Sequence, residues 1–205
     1  MHKSQTIFPL QAYPPQGALA NQADESLAQS AAQTQDNSNA FSVLYQRYCI
    51  RVYRYQMARC GNAADAEDLC AQTFLAALEN IQRFRGEGSF AAWLFGIARK
   101  KTALHHRSLR RHGESALEAA EQIADPLGGP ENQAAQSLLL ERVYTALGSL
   151  PTERAEAVLL CTFGDLNTTE AGRVLGKSPA AVKMAVSRGL RDLRQRLNWI
   201  NEEQS

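Results

Sequence analysis

The sequence predicts an all-α protein of two small helical domains joined by a flexible acidic linker, the C-terminal domain being a helix-turn-helix. Three observations predict it. Apolar residues recur at three- and four-residue spacing, and no segment alternates with period two. Residues 113–137 carry five acids, no Lys or Arg, and the breaker cluster Asp125-Pro126-Leu127-Gly128-Gly129-Pro130, which separates one helical block from the next. Residues 167–190 then meet several independent requirements of a helix-turn-helix in register.

With 205 residues, 44% hydrophobic and 21% charged, the chain has the composition of a folded protein. Its 22 cations and 21 acids nearly cancel, but they are segregated: net −2 over residues 1–40, +7 over 41–112, −5 over 113–137 and +1 over 138–205. Such blocks imply units with different electrostatic roles. No run approaches the roughly 20 apolar residues that cross a bilayer, and Pro9 and Gln11 break the short apolar run at the N-terminus. A cytoplasmic protein without membrane insertion is expected. Cys49, Cys60, Cys70 and Cys161 lack Cys-x-x-Cys spacing and sit in apolar helical patterns, so they read as small buried hydrophobes. His105, His106 and His112 flank a run of Arg and read as a solvated basic face. No cofactor and no metal are implied.

Residues 1–39, rich in Gln, Ala, Asn and Ser, show no sustained periodicity and are expected to form a disordered tail. A first domain spans 40–112. Its first helix places Phe41, Leu44, Tyr45, Tyr48, Val52 and Tyr55 on one face. A second follows Gly61-Asn62, with Ala66, Leu69, Thr73 or Phe74, Leu78 and Ile81 inward and Asp65, Glu67 and Asp68 near its positive N-terminal end. Ser89 is the expected N-cap of a third, whose apolar face runs Phe90, Trp93, Leu94, Ile97 and Leu104. The linker occupies 113–137. A second domain, 138–198, begins with Leu138, Leu139, Val143 and Leu147; Pro151 then opens a helix with Val158, Leu159 and Phe163 inward, and residues 199–205 form a tail.

The helix-turn-helix follows from local chemistry. Asn167 and Glu170 form a capping box, Gly172 lets two helices approach, Gly176 tolerates a left-handed backbone, and Ser178-Pro179 starts the second helix sharply. On that helix Lys183, Ser187, Arg188, Arg191 and Arg194 recur every three or four residues, away from Val182, Val186 and Leu190. Cations so arranged suit duplex DNA, with Arg173, Lys177 and Arg196 adding phosphate contacts. In the first domain Phe84, Phe90, Trp93 and Phe95 precede Arg99, Lys100, Lys101, Arg107, Arg110 and Arg111. Aromatic rings beside a cationic tract suit unstacked, melted DNA. Core packing is the competing reading for Trp93.

Phe41-x-x-Leu44-Tyr45-x-x-Tyr48, Asp65-Ala66-Glu67-Asp68-Leu69-x4-Phe74, Phe90-x-x-Trp93-Leu94-x-x-Ile97-Ala98-Arg99, Leu150-Pro151-x-x-Arg154 and the helix-turn-helix, in that order, resemble a bacterial RNA polymerase sigma factor of the extracytoplasmic-function group. The resemblance covers about residues 41–111 and 138–197. It implies a non-enzymatic initiation factor that binds core RNA polymerase, recognises promoter DNA and assists its melting. Residues 40–112 would be sigma region 2 and 138–198 region 4. The polymerase clamp helices would meet Asp65, Glu67, Asp68, Leu69, Gln72 and Phe74, and the flap region would meet region 4. The minus-ten element would fall to Phe90, Trp93, Arg99, Lys100, Lys101 and Arg107, and the minus-thirty-five element to Arg173, Lys177, Ser178, Lys183, Ser187, Arg188 and Arg191. The acidic linker would lie where RNA exits, and an anti-sigma factor is an implied partner. The family commonly has Gln-Glu where Ala71-Gln72 stand, and Asn and Asp where Lys100 and Leu104 stand; Lys100 is expected to reach phosphate. A helix-turn-helix regulator acting without polymerase docking would share the second domain but would not require the acidic helix or the aromatic-basic one. An enzyme using Asp65, Glu67 and Asp68 as metal ligands lacks a nearby His or carboxylate to complete the set.

Overall fold

The computed structural model describes residues 19, 21–33, 38–112 and 142–202. All regular structure among them is helical: α1 (Asp24–Gln33), α2 (Ser38–Cys60), α3 (Ala63–Asn80), a 3-10 turn (Ile81–Arg83), α4 (Phe90–His112), α5 (residues 142–148), α6 (Thr152–Thr162), α7 (Thr168–Leu175) and α8 (Pro179–Glu202). The linker expected at 113–137 and the positions Leu138 and Leu139 lie outside the described residues.

Helices α2, α3 and α4 form around one core, as their spacing predicts. Tyr48, Val52, Tyr55, Phe74, Phe90, Leu94 and Phe95 are buried in it. Edge-to-face ring pairs, Tyr55 with Phe95 at 5.6 Å and Tyr48 with Phe90 at 5.4 Å, join α2 to α4. Gln56, fully buried, satisfies its amide by accepting from Thr102 Oγ1 (2.6 Å) and donating to the Ala98 carbonyl (3.3 Å). Ser89 caps α4 as expected, its Oγ accepting from Ala92 N–H, and the Asn62 side chain caps α3 by accepting from Asp65 N–H.

Two expectations need correction. The tail was expected to be unstructured through residue 39, but Asp24–Gln33 is a helix with Leu27, Ala28 and Ala31 buried against the first domain. Polar anchors hold it: Asp24 pairs with Arg47 and Tyr48, and Glu25 Oε1 accepts from the free Phe90 N–H at the start of α4 (3.1 Å). These partners lie far away in sequence, so local composition gives no sign of them. At the other end α8 continues to Glu202, past the boundary expected at 198.

In the second half, α6 crosses α8 where Gly189 has no side chain; a Cβ there would come within 2.7 Å of Val158. The two halves also meet. Arg51 on α2 donates to the carbonyls of Phe163 (3.0 Å) and Gly164 (2.6 Å), Arg99 on α4 pairs with Glu156 on α6 at 3.0 Å, and α7 packs on α4.

Candidate nucleic-acid interface

The helix-turn-helix is built by the interactions its sequence predicts. Asn167 Oδ1 accepts from Thr169 and Glu170 N–H at 3.0 Å, and Glu170 returns the bond to Asn167 N–H. Gly176 closes α7 in the left-handed region (φ 67°). Gly172 is required by closeness: a Cβ would come within 2.6 Å of the Lys177 carbonyl oxygen, whose own N–H bonds the Gly172 carbonyl at 2.9 Å. Ser178 Oγ then accepts from Ala181 N–H to start α8.

On α8, Val182 is fully buried while Lys183, Ser187, Arg188 and Arg191 are exposed together. Met184 (52%) and Leu190 (49%) are also exposed, so the helix packs through a narrower seam than the one expected to include Leu190. The Lys177 ammonium pairs with the exposed Glu153 at 2.7 Å and holds that carboxyl below the usual carboxylate range.

The aromatic-basic helix divides into a structural and an available part. Phe90 is fully buried and cannot reach a base. Trp93 is half-buried at the edge of a ring cluster, 5.6 Å from Phe84 and 5.7 Å from Phe90. Trp93, Arg99, Lys100 and Arg173 line a common cavity of about 450 Å³ between the loop before α4 and α7. Thus Arg173 lies against Gly88 of that loop, 3.2 Å from where its Cβ would stand, and not on the cationic face of α8. Lys100 and Arg107 are exposed and Lys101 is half-buried.

The N-terminal acids of α3 also divide. Asp65 bonds Asn62 Nδ2 (2.6 Å) and faces His105 Nε2 at 3.2 Å, a charge contact without hydrogen-bond alignment. His105 is therefore half-buried on an acid and not part of a solvated basic face. His106 is held below its ordinary value of 6.5 by burial and by the Arg59 guanidinium. Asp68 is exposed and bonded by Gln72, with Glu67 half-buried beside it.

The sequence profile of Sigma-70 region 2 matches residues 44–112, and that of Sigma-70 region 4 matches residues 140–193. CnrH of Cupriavidus metallidurans, an RNA polymerase sigma factor, is 32% identical over 173 residues, covering 81% of this chain and 90% of CnrH. The chain belongs to the sigma-70 family. Its group is the extracytoplasmic-function one: the ECF RNA polymerase sigma factor BldN of Streptomyces coelicolor is 36% identical over 157 residues, 76% of this chain and 60% of BldN. The chain thus spans about three fifths of the length of BldN and of SigE from Mycolicibacterium smegmatis. The solved structure of CnrH in complex with the cytosolic domain of CnrY superposes with a TM-score of 0.65 at 28% identity, over 86% of this chain and 98% of that one. RpoE from Bartonella quintana, solved with the anti-sigma factor NepR, shares the fold (TM-score 0.63, 21% identity, 77% and 96% covered).

In this sigma factor two of the six residues assigned to the polymerase face, Leu69 and Phe74, are buried in the region 2 core, Phe74 against the Tyr45 ring at 4.7 Å. Their neighbours take the outer face. Leu75 (58%) and Leu78 (38%) are exposed on the stripe that also carries Asp68 and Ala71, a signal present in the sequence as the spacing 68, 71, 75, 78. Leu78 had been expected inward. Arg59 lines a cleft of about 880 Å³ between the halves, and its buried Nε has no hydrogen-bond partner among the described residues. No helix among the described residues is long and apolar enough to cross a membrane.

Proposed function

We propose that this chain is a transcription initiation factor that binds core RNA polymerase, brings it to selected promoters and assists their opening, without catalysing a reaction itself and in the compartment that holds the polymerase. The observation that carries the reading is the presence, in one chain, of sigma regions 2 and 4 with their unpaired outer faces of opposite kind. Asp68, Gln72, Leu75 and Leu78 on α3 offer an acidic-apolar strip to the polymerase clamp helices, with Glu67 and Asp65 at its edge. Lys183, Arg188 and Arg191 on α8 offer cations and Ser187 a hydroxyl to the minus-thirty-five element, with Ser178 at the helix start near the phosphate backbone. The exposed Lys100 and Arg107, with the half-buried Lys101, neutralise backbone near the minus-ten element, while Trp93 at the rim of its ring cluster is the group able to stack on an unpaired base. The flap falls to region 4, where α5, α6 and α8 leave an apolar cavity of about 380 Å³ lined by Val143, Leu147 and Leu193. Control by an anti-sigma factor belongs to the same reading, supported by CnrH having been solved in complex with another protein, the cytosolic domain of CnrY.

Reconstitution tests it. Purified protein added to core polymerase should form a stable complex and give promoter-specific runoff transcription from a randomised promoter library. Sequence-specific DNA binding with no polymerase association would replace this reading with that of a helix-turn-helix regulator.

A further inference from the structure

Two of the four cysteines face each other across the first helix pair. Helices α2 and α3 run antiparallel, with Tyr45 and Phe74 ring to ring. One turn further along α2 is Cys49, and one turn back along α3 is Cys70, so the antiparallel register sets the two thiols opposite one another. The contacts agree: Cys70 Sγ lies 3.7 Å from the Cys49 carbonyl oxygen, to which its S–H donates, on the side of α2 that also carries Tyr45. Cys49 is 9% exposed and Cys70 1%, and both are free thiols. None of the surfaces assigned to polymerase or DNA uses either sulfur.

The pair is chemically unequal. The neighbouring Cys70 thiol and Tyr45 hydroxyl hold the Cys49 thiol down at about 7 despite its burial. Cys70, beside a partner that takes the charge first, is pushed up. Cys60 is pushed up to about 12 by burial and by Asp65, and Cys161 is raised by burial. One member of the pair thus provides a thiolate near neutral pH, the other a protonated thiol in contact with it, the arrangement of an attacking and a resolving cysteine.

We propose that Cys49 and Cys70 are a reversible oxidation site in which a hydroperoxide converts the facing thiols to a disulfide that staples α2 to α3. The Cys49 thiolate attacks one oxygen of the hydroperoxide; the O–O bond breaks, and the departing alkoxide or hydroxide takes a proton to leave as an alcohol or water. Cys49 is left as a sulfenic acid. Cys70, giving up its proton, attacks the Cys49 sulfur, and the hydroxyl leaves with that proton as a second water. Two thiols supply two electrons, the peroxide accepts both, and a dithiol reductant reverses the bond. The ring so closed runs through the α2–α3 turn, and the chemistry stands apart from the polymerase-binding reading.

The full-length protein treated with hydrogen peroxide, denatured in an alkylating agent and digested should yield a peptide pair joined through Cys49 and Cys70. The intact protein should lose two hydrogen masses, and dithiothreitol should restore them. Oxidation should raise the urea unfolding midpoint of the wild-type protein, and reduction should return it. Cys70→Ser should stop at a Cys49 sulfenic acid trapped by dimedone, whereas Cys49→Ser should leave Cys70 unlabelled. Cys60→Ser and Cys161→Ser should behave as wild type. Peptide mapping of the wild-type protein decides the matter even if a variant fails to fold: absence of the Cys49–Cys70 linkage, a linkage through Cys60 or Cys161 instead, or dimedone labelling at Cys70 and not Cys49 overturns the proposal.

Discussion

Arg188 stands on the exposed face of α8, one helical turn past Met184 and beside Ser187 and Arg191, on the face proposed to meet duplex DNA. Its replacement by Ala should weaken binding to the preferred duplex by about 1–3 kcal/mol and relax specificity. An equal loss on all sequences, with a salt slope lowered by about one, would mark it as a phosphate contact. His106 gives a prediction in pH. Its folded-state value lies below 6.5, so between those two values the unfolded chain takes up a proton that the folded chain does not. Stability should therefore be unaffected by His106 above about pH 6.5 and fall as the pH drops below it. Urea midpoints compared at about pH 7.5 and about pH 5.5 should show a smaller fall in His106→Gln than in the wild type, with His105 and Arg110, which also face the ring, left in place. At this scale the sequence was most legible where chemistry is local. Asn167, Glu170 and Gly176 act on neighbours within a few positions, and the capping box and left-handed turn are where spacing puts them. It was least legible on α3, where Phe74 and Leu75 are adjacent and comparably apolar; only the approach of Tyr45 from α2 decides which one is covered.

Among the elements, α3 carries the clearest division of labour. Its inner face, Ala66, Leu69, Cys70, Thr73, Phe74 and Ala77, is buried, and on its outer face Leu75 is exposed. Leu75→Glu together with Leu78→Glu should abolish association with core polymerase in a pull-down while leaving the thermal midpoint within a degree or two of wild type. By contrast, Gln56→Ala should cost about 1–3 kcal/mol in a urea titration, because Thr102 and the Ala98 carbonyl lose their buried partner where α2 meets α4. Both helices were legible from apolar spacing. Helix α1 was not: it is short, its buried residues are one Leu and two Ala, and what fixes it are acid contacts to Arg47, Tyr48 and the Phe90 amide.

For the whole molecule, among the described residues, the two halves meet through a few bonds, two of them from Arg51 to backbone carbonyls that no pattern of side chains announces. Arg51 reaches the end of α6, Arg99 reaches Glu156, and Arg173 rests against the loop before α4. Removing two of these, with Arg51→Ala and Glu156→Gln, should raise the radius of gyration measured by small-angle scattering while both halves keep their helical content by circular dichroism. No change in radius would mean that α7 packing on α4 suffices. Charge segregation was visible from the sequence; this mutual packing was not, because each contact spans dozens of residues. The seat of α1 sets a schedule for synthesis as well. Glu25 leaves the ribosome early, but the amide it accepts from belongs to Phe90, 65 positions later. Until that residue emerges, the first helix has an acid without its partner and an apolar side without its full cover. The nascent chain therefore carries its start unfinished until the first turn of α4 arrives to complete it.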